Sequence, residues 1–154
     1  MISTIGVSIS SRKTLPLLLR FVYGYLIQVP LADKLTCERM INHFAGWEWN
    51  SLDGEPSQEV ITGEGVNLSD WKERQGVPPI GGLDAMIIRA AGLNDDVCRA
   101  DSVKEGEAPY RVAAGEITGK APWGISRKDV GHFIFETVEK NWGQWGGKQI
   151  SISY

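Results

Sequence analysis

Ser3 and Thr4 sit in an alternating run, ISTIGVSI, in which Ile2, Ile5, Val7 and Ile9 are threaded with Ser and Thr. Open α/β sheets bind ligands beyond the carboxyl ends of their strands, and hydroxyls placed there can orient a substrate oxygen or a proton donor. A second apolar run, AMIIR, ends in Ala90, Ala91, Gly92 and Leu93, at the matching end of another strand. Between the two runs lies Lys34, within ADKLTCERMI. By itself it reads as a solvated lysine beside Glu38 on a helix face, where such a pair is worth about a few tenths of a kcal/mol. The two histidines, His43 and His132, fall within predicted helices and lack a ligand partner, so their role is structural. Arg127 and Asp129 read as capping and surface residues.

Several chemistries are excluded by absence. No GxGxxG or Walker A sequence follows a strand, and Gly143-Gln-Trp-Gly-Gly comes after a helix. There is no HExxH or CxxC pair, so no metal site is expected, and no Gly-x-Ser-x-Gly elbow. Cys37 and Cys98 lie far apart and read as reduced thiols of a cytoplasmic protein. The net charge of −3, without a run of Lys or Arg, argues against nucleic acid as a partner. The segment LPLLLRFVYGYLIQVPLA resembles a signal peptide, but Arg20 and Gln28 interrupt it and no A-x-A site follows, so a buried helix and no membrane partner are expected. Asn67-Leu68-Ser69 matches a glycosylation sequon, a pattern common by chance.

The elements that must position these residues follow from periodicity. Residues 2–7 read as a strand and Leu15 to Ile27 as a helix, with Thr14 as N-cap and Pro16 in the first turn. Pro30 breaks the pattern. Leu31 to Phe44 is a second helix with Cys37, Met40, Ile41 and Phe44 on one face, stopped by Gly46. Residues 47–82 read as a loop insertion with one short helix near Ser69–Arg74. Ala85–Arg89 suits a strand buried on both faces. Residues 94–107 are polar loop, and Tyr110–Val112 is a short strand. In ISRKDVGHFIFETVEKNW, Ser126 and Asp129 form a capping box and Val130, Phe133, Ile134 and Val138 an apolar stripe. The tail KQISISY alternates as a final strand. Strands alternating with helices imply one α/β domain with a mostly parallel sheet.

In that order, ISTIGVS, ADKLTCERMI, AMIIRAAGL, ISRKDVGHFIFE and GKQISISY resemble the C-terminal half of the atypical short-chain dehydrogenase/reductase group. These are NAD(P)-binding Rossmann proteins that include NmrA-like and flavin/biliverdin-reductase-like members. The resemblance covers about half of the chain, and the ISRKDV block is its most specific piece. It implies an incomplete Rossmann-like sheet flanked by helices, with NAD or NADP as cofactor. It places Ser3, Thr4 and Lys34 in the catalytic set. Lys34, Ala90, Ala91, Gly92 and Leu93 become cofactor-binding, with Lys34 at the nicotinamide ribose. Two positions depart from the pattern. The tyrosine expected four residues before the lysine is Pro30, and the proline after the strand arginine is Ala90. Tyr25 is too far along the chain to substitute by register.

The resemblance further implies that the glycine-rich half of such a fold is missing, so that the chain is truncated and MISTIGVS is a middle strand. A chain of this kind binds dinucleotide poorly, because the anchoring phosphate contacts are lost while the ordering cost remains, and it is inactive as a reductase on its own. The alternative is a complete non-redox protein, an interaction or regulatory module or an isomerase or cyclase, that reuses the remaining cleft. In both readings the edge of the 2–7 strand invites self-association or a partner chain. The identity of a small-molecule substrate is not written in any motif.

Overall fold

Ile87, Ile88, Arg89 and Ala90 are all buried, and the sheet is built outward from them. The computed structural model describes residues 1–13, 15, 17–53 and 71–154. Its strands are β1 (Ile2–Thr4), β2 (Ile87–Ala90), β3 (Leu93–Asn94), β4 (Arg111–Ala114), β5 (Ile125–Ser126) and β6 (Gln149–Ser153). The main sheet runs β1-β2-β6-β4, parallel except for β4, which is antiparallel to β6. β3 and β5 form a separate two-stranded parallel ladder. The chain is thus an α/β protein with a mostly parallel sheet. The helices are α1 (Ile9–Arg12), α2 (Leu17–Tyr25), α3 (Gln28–Ala45), α4 (Arg127–Glu136) and α5 (Trp142–Trp145). Residues 54–70 of the 47–82 insertion, including the Ser69–Arg74 helix start and the sequon, lie outside the described residues, as do Thr14 and Pro16. Among the described residues, no helix is long and apolar enough to cross a membrane.

The expected elements are present, with corrections that have physical causes. The first strand is shorter than residues 2–7, because Gly6, at φ 87°, turns the chain out of the sheet. Pro30 does not break the second helix. α3 begins at Gln28, so Pro30 falls in the first turn, where backbone N–H groups have no intrahelical partner to lose. Gly46 ends that helix in the left-handed conformation, with Trp47 N–H closing on Asn42 O at 2.8 Å. The tail strand β6 does not close the sheet. It lies between β2 and β4, so its serines Ser151 and Ser153 are as buried as its isoleucines.

Of the expected stripe of Cys37, Met40, Ile41 and Phe44, only Phe44 is buried; the rest of the face that α3 buries carries Leu31, Thr36, Glu38 and Asn42. Glu38 is fully buried and receives two hydrogen bonds from Arg89 of β2, at 2.6 and 3.2 Å. This removes the reading of Glu38 as the solvated partner of Lys34. Arg89 also donates to Glu116 at 2.9 Å. Burial works to lower the Arg89 pKa, but the hydrogen bonds and charge of Glu38, with the charges of Glu116 and Asp53, outweigh it and hold the guanidinium above its ordinary value. Asn42 adds a second tie to the sheet, accepting from Gln149 at 3.2 Å.

The Ser126–Asp129 box forms as expected, with Asp129 N–H donating to Ser126 Oγ at 3.0 Å. Asp129 is nevertheless no surface residue: it is fully buried. Its carboxylate accepts from the Tyr154 hydroxyl, the Ser126 hydroxyl and the backbone N–H groups of Arg99 and Ala100. Burial alone would raise its pKa, yet these hydrogen bonds prevail and hold it at about 2. Arg127 does lie at the surface, paired with Asp95. Val138 leaves the expected stripe and is 58% exposed. A π-helical turn over Thr137–Asn141 shifts the helix phase, so Thr137 is buried instead.

Two stability predictions follow from these buried charges. Replacing Glu38 by Ala leaves the buried Arg89 guanidinium paired with Glu116 but without its fully buried partner, and should cost about 3 kcal/mol in urea unfolding, whereas Glu38→Met combined with Arg89→Met should recover most of that loss. The depressed pKa of Asp129 means its stabilisation is complete above its unfolded value of 3.8 and drains away as pH falls toward about 2. Asp129→Asn should therefore lower stability at neutral pH and flatten the acid limb of the stability profile between those values.

Candidate functional site

A cavity of about 270 Å³ opens beyond the carboxyl ends of β1 and β2. Ser3, Thr4, Lys34, Ala90, Ala91, Gly92 and Leu93, drawn from three distant stretches of the chain, all line it. Parallel pairing puts Thr4 beside Ala90 and so brings the first and third stretches together. α3 then crosses over the strand ends and contributes Lys34, with Ile27, Pro30 and Leu31 as an apolar wall. Gly92 lets the floor pass close under the 123–125 segment: a Cβ there would lie 3.0 Å from Trp123 O, and Gly92 O accepts from Ile125 N–H at 3.0 Å.

The residue that sequence reasoning missed is Tyr23. Its ring lines the cavity, and its hydroxyl stands 3.2 Å from Thr4 Oγ1. Thr4 Oγ1 is also 3.3 Å from the carbonyl oxygens of Ile5 and Ala90. When the Thr4 proton goes to a carbonyl, Tyr23 donates to Thr4. When Thr4 donates to Tyr23, the phenol is free to donate into the cavity. Tyr25, the nearer candidate by sequence, is instead 75% exposed and stacks on Phe21. Tyr23 is carried there by Gly6. A Cβ on Gly6 would lie 2.4 Å from Leu15 Cδ1 and 2.8 Å from Tyr23 Cδ1, and the positive φ also disfavours any other residue. The signal was therefore the glycine that ends the first strand, which says that something packs hard against it but not what.

The polar groups of the cavity differ in freedom. Ser3 Oγ is buried and has no hydrogen-bond partner. Lys34 Nζ approaches Ile2 O at 3.5 Å and forms no ion pair among the described residues. The N-terminus of α3 has Ile27 at its cap position with no side-chain cap, so the positive end of the helix dipole and the Lys34 ammonium both lie on this side of the cavity. The hydrogen bonds Ile88 N–H to Met1 O and Ile5 N–H to Ala90 O show that odd-numbered residues of β1 face β2. Ile2 and Thr4 therefore turn their backbone groups outward along an edge that has no other strand among the described residues.

Other titratable groups serve packing. Tyr110 and His132 share a 2.8 Å hydrogen bond between β4 and α4, and burial pushes the Tyr110 phenol up to about 12, which suits it poorly to proton transfer. Cys37 and Cys98 are free thiols with pKa values raised by burial. Among the described residues no cluster of His, Cys, Asp and Glu could hold a metal ion. No family model, curated protein or solved structure matches the chain.

Gly6→Ala tests the link between the turn and the cavity. The substitution should destabilise the protein by more than about 1 kcal/mol, since strain at positive φ and the clash both act. It should also shift the NMR signals of Tyr23 and Thr4 more than those of β4 at the far edge.

Proposed function

We propose that this cavity is the nicotinamide-side half of a Rossmann-type NAD(P) site, in a protein related to the atypical short-chain dehydrogenase/reductases. The observation that carries the reading is the meeting of the Thr4–Tyr23 hydroxyl pair with Lys34 and the Ala90–Leu93 floor in one cavity at the carboxyl ends of parallel strands. The residues fit one end of a dinucleotide. About 270 Å³ is below the roughly 300–1,000 Å³ of sites that enclose a drug-sized ligand. The small floor residues Ala90, Ala91 and Gly92 would face the nicotinamide ring, and Lys34 the ribose hydroxyls.

In this reading Tyr23 takes the place that Pro30 cannot fill. Thr4 orients the phenol, and the Tyr23 hydroxyl donates its proton to a substrate carbonyl oxygen in the reduction direction, or receives it in the oxidation direction. The nearby Lys34 ammonium favours negative charge developing on that oxygen. Bound cofactor would supply or accept the hydride. The diphosphate is not provided for, since the sequence contains no glycine-rich strand–loop–helix. A partner polypeptide that adds a strand to the outward edge of β1 would supply it, and without it the chain is inactive as a reductase.

The isolated chain should therefore bind reduced nicotinamide mononucleotide and NADPH with similar, weak affinity, with Kd on the order of 1 mM. NMR shifts should concentrate at Thr4, Tyr23, Lys34 and Ala90–Leu93, and Lys34→Ala should weaken both ligands. Micromolar NADPH binding, or saturation with the mononucleotide that leaves those signals unmoved, would refute the half-site. The latter result would favour the non-redox alternative.

A further inference from the structure

The face of α2 turned away from Tyr23 is apolar and uncovered. Leu17, Leu18, Phe21 and Tyr25 are 61–80% exposed, and Leu26 and Val29 extend the patch beyond the helix end at 72% and 76%. Exposed apolar residues are ordinary when scattered, but six in thirteen consecutive positions form a patch of the kind that marks an interaction site. The Phe21 and Tyr25 rings stack with centroids 5.2 Å apart and so project as one block. Next to them Gly24 presents bare backbone to open space: a Cβ added there would meet nothing within 4 Å. From Leu17 to Val29 the one charged side chain is Arg20, and its guanidinium folds back to donate to the carbonyl oxygens of Leu15 and Lys13.

We propose that this face joins two copies of the chain about a two-fold axis, with the Phe21–Tyr25 block of one copy seated over Gly24 of the other. An isologous interface needs one patch that is complementary to itself, and here the projecting Phe21–Tyr25 block lies beside Gly24, the one position of the helix without a side chain. Six large side chains at roughly 100 Å² each contribute about 600 Å², and the helix backbone and flanks bring the total near the roughly 800 Å² per partner of a standard interface. The patch carries no acidic side chain, so the acidic residues behind the net charge of −3 lie outside the contact, and Arg20 is held back on its own chain by the Leu15 and Lys13 carbonyls. An anionic lipid surface would call for a polar face rich in free Lys and Arg, whereas this helix has one arginine and its guanidinium is tied back. The proposal is independent of the nucleotide reading.

The test is sedimentation equilibrium on the full chain. Wild type at about 100 μM should show twice the 17.0 kDa monomer mass. Phe21→Glu should raise the dimer dissociation constant by about 30-fold or more, as loss of a central aromatic anchor does, with the circular dichroism spectrum unchanged. Gly24→Arg puts a long charged side chain into open space at the centre of the contact and should act alike, so it carries the test should Phe21→Glu fail to fold. A wild type that stays monomeric at about 500 μM overturns the proposal. So does a dimer that survives both variants, since the copies would then meet elsewhere, such as at the β1 edge. Co-sedimentation of wild-type monomer with phosphatidylcholine vesicles would also overturn it, by giving the face to lipid.

Discussion

The buried ion pair between Arg89 and Glu38 fixes how the longest helix meets the sheet. A guanidinium in the middle of a fully buried strand has to find a carboxylate, because an unpaired buried charge costs several kcal/mol. Glu38 supplies one from the centre of α3, with both oxygens engaged. The register of α3 on β2 is then set to within one helical turn. A turn before Glu38 on the same helix comes Lys34, which is thereby delivered to the strand ends. The geometry of the cavity follows from a charge pair that is not in it.

The second constraint is the close approach at Gly6. The chain leaves the sheet after Thr4, turns through a positive φ and lets Leu15 and Tyr23 pack where a side chain would otherwise be. That packing places the phenol of a residue with no sequence relation to Thr4 within hydrogen-bond distance of it. The two constraints act from opposite sides, α3 through Lys34 and α2 through Tyr23. They leave between them the apolar wall of Ile27, Pro30 and Leu31. The outer face of α2 is left bare by the same arrangement, because the helix spends its inward face on Tyr23.

Across the sheet, Asp129 does for the C-terminal half what Arg89 does for the N-terminal half. It caps its own helix through Ser126 and also gathers the backbone N–H groups of Arg99 and Ala100 and the hydroxyl of the last residue, Tyr154. One carboxylate therefore ties the 94–107 segment, the start of α4 and the end of β6 together. Its low pKa is the electrostatic expression of those contacts, and Arg99, stacked 3.4 Å over the Tyr154 ring, closes the cluster.

The α/β class, the buried character of Met86–Arg89 within the expected Ala85–Arg89 run, the Gly46 stop and the Ser126–Asp129 cap were legible in the sequence by itself. Each is written in a few adjacent residues whose conformational or hydrogen-bonding preference acts locally. The strand-end positions Ser3, Thr4 and Ala90–Leu93 could be picked out from composition, but that they share one cavity with Lys34 of α3 is a matter of the fold. What only the tertiary structure decided is everything that depends on two distant segments meeting. Periodicity put Cys37, Met40 and Ile41 inward on α3, but the need of Arg89 for a partner turned Glu38 and Asn42 inward instead. The tail strand comes last in the chain yet lies second from the edge of the sheet, since strand order is set by crossovers that no local pattern records. Tyr23 joined Thr4 through space and not through spacing, because a hydroxyl pair is a matter of packing around Gly6, nineteen residues of chain apart and 3.2 Å in the fold.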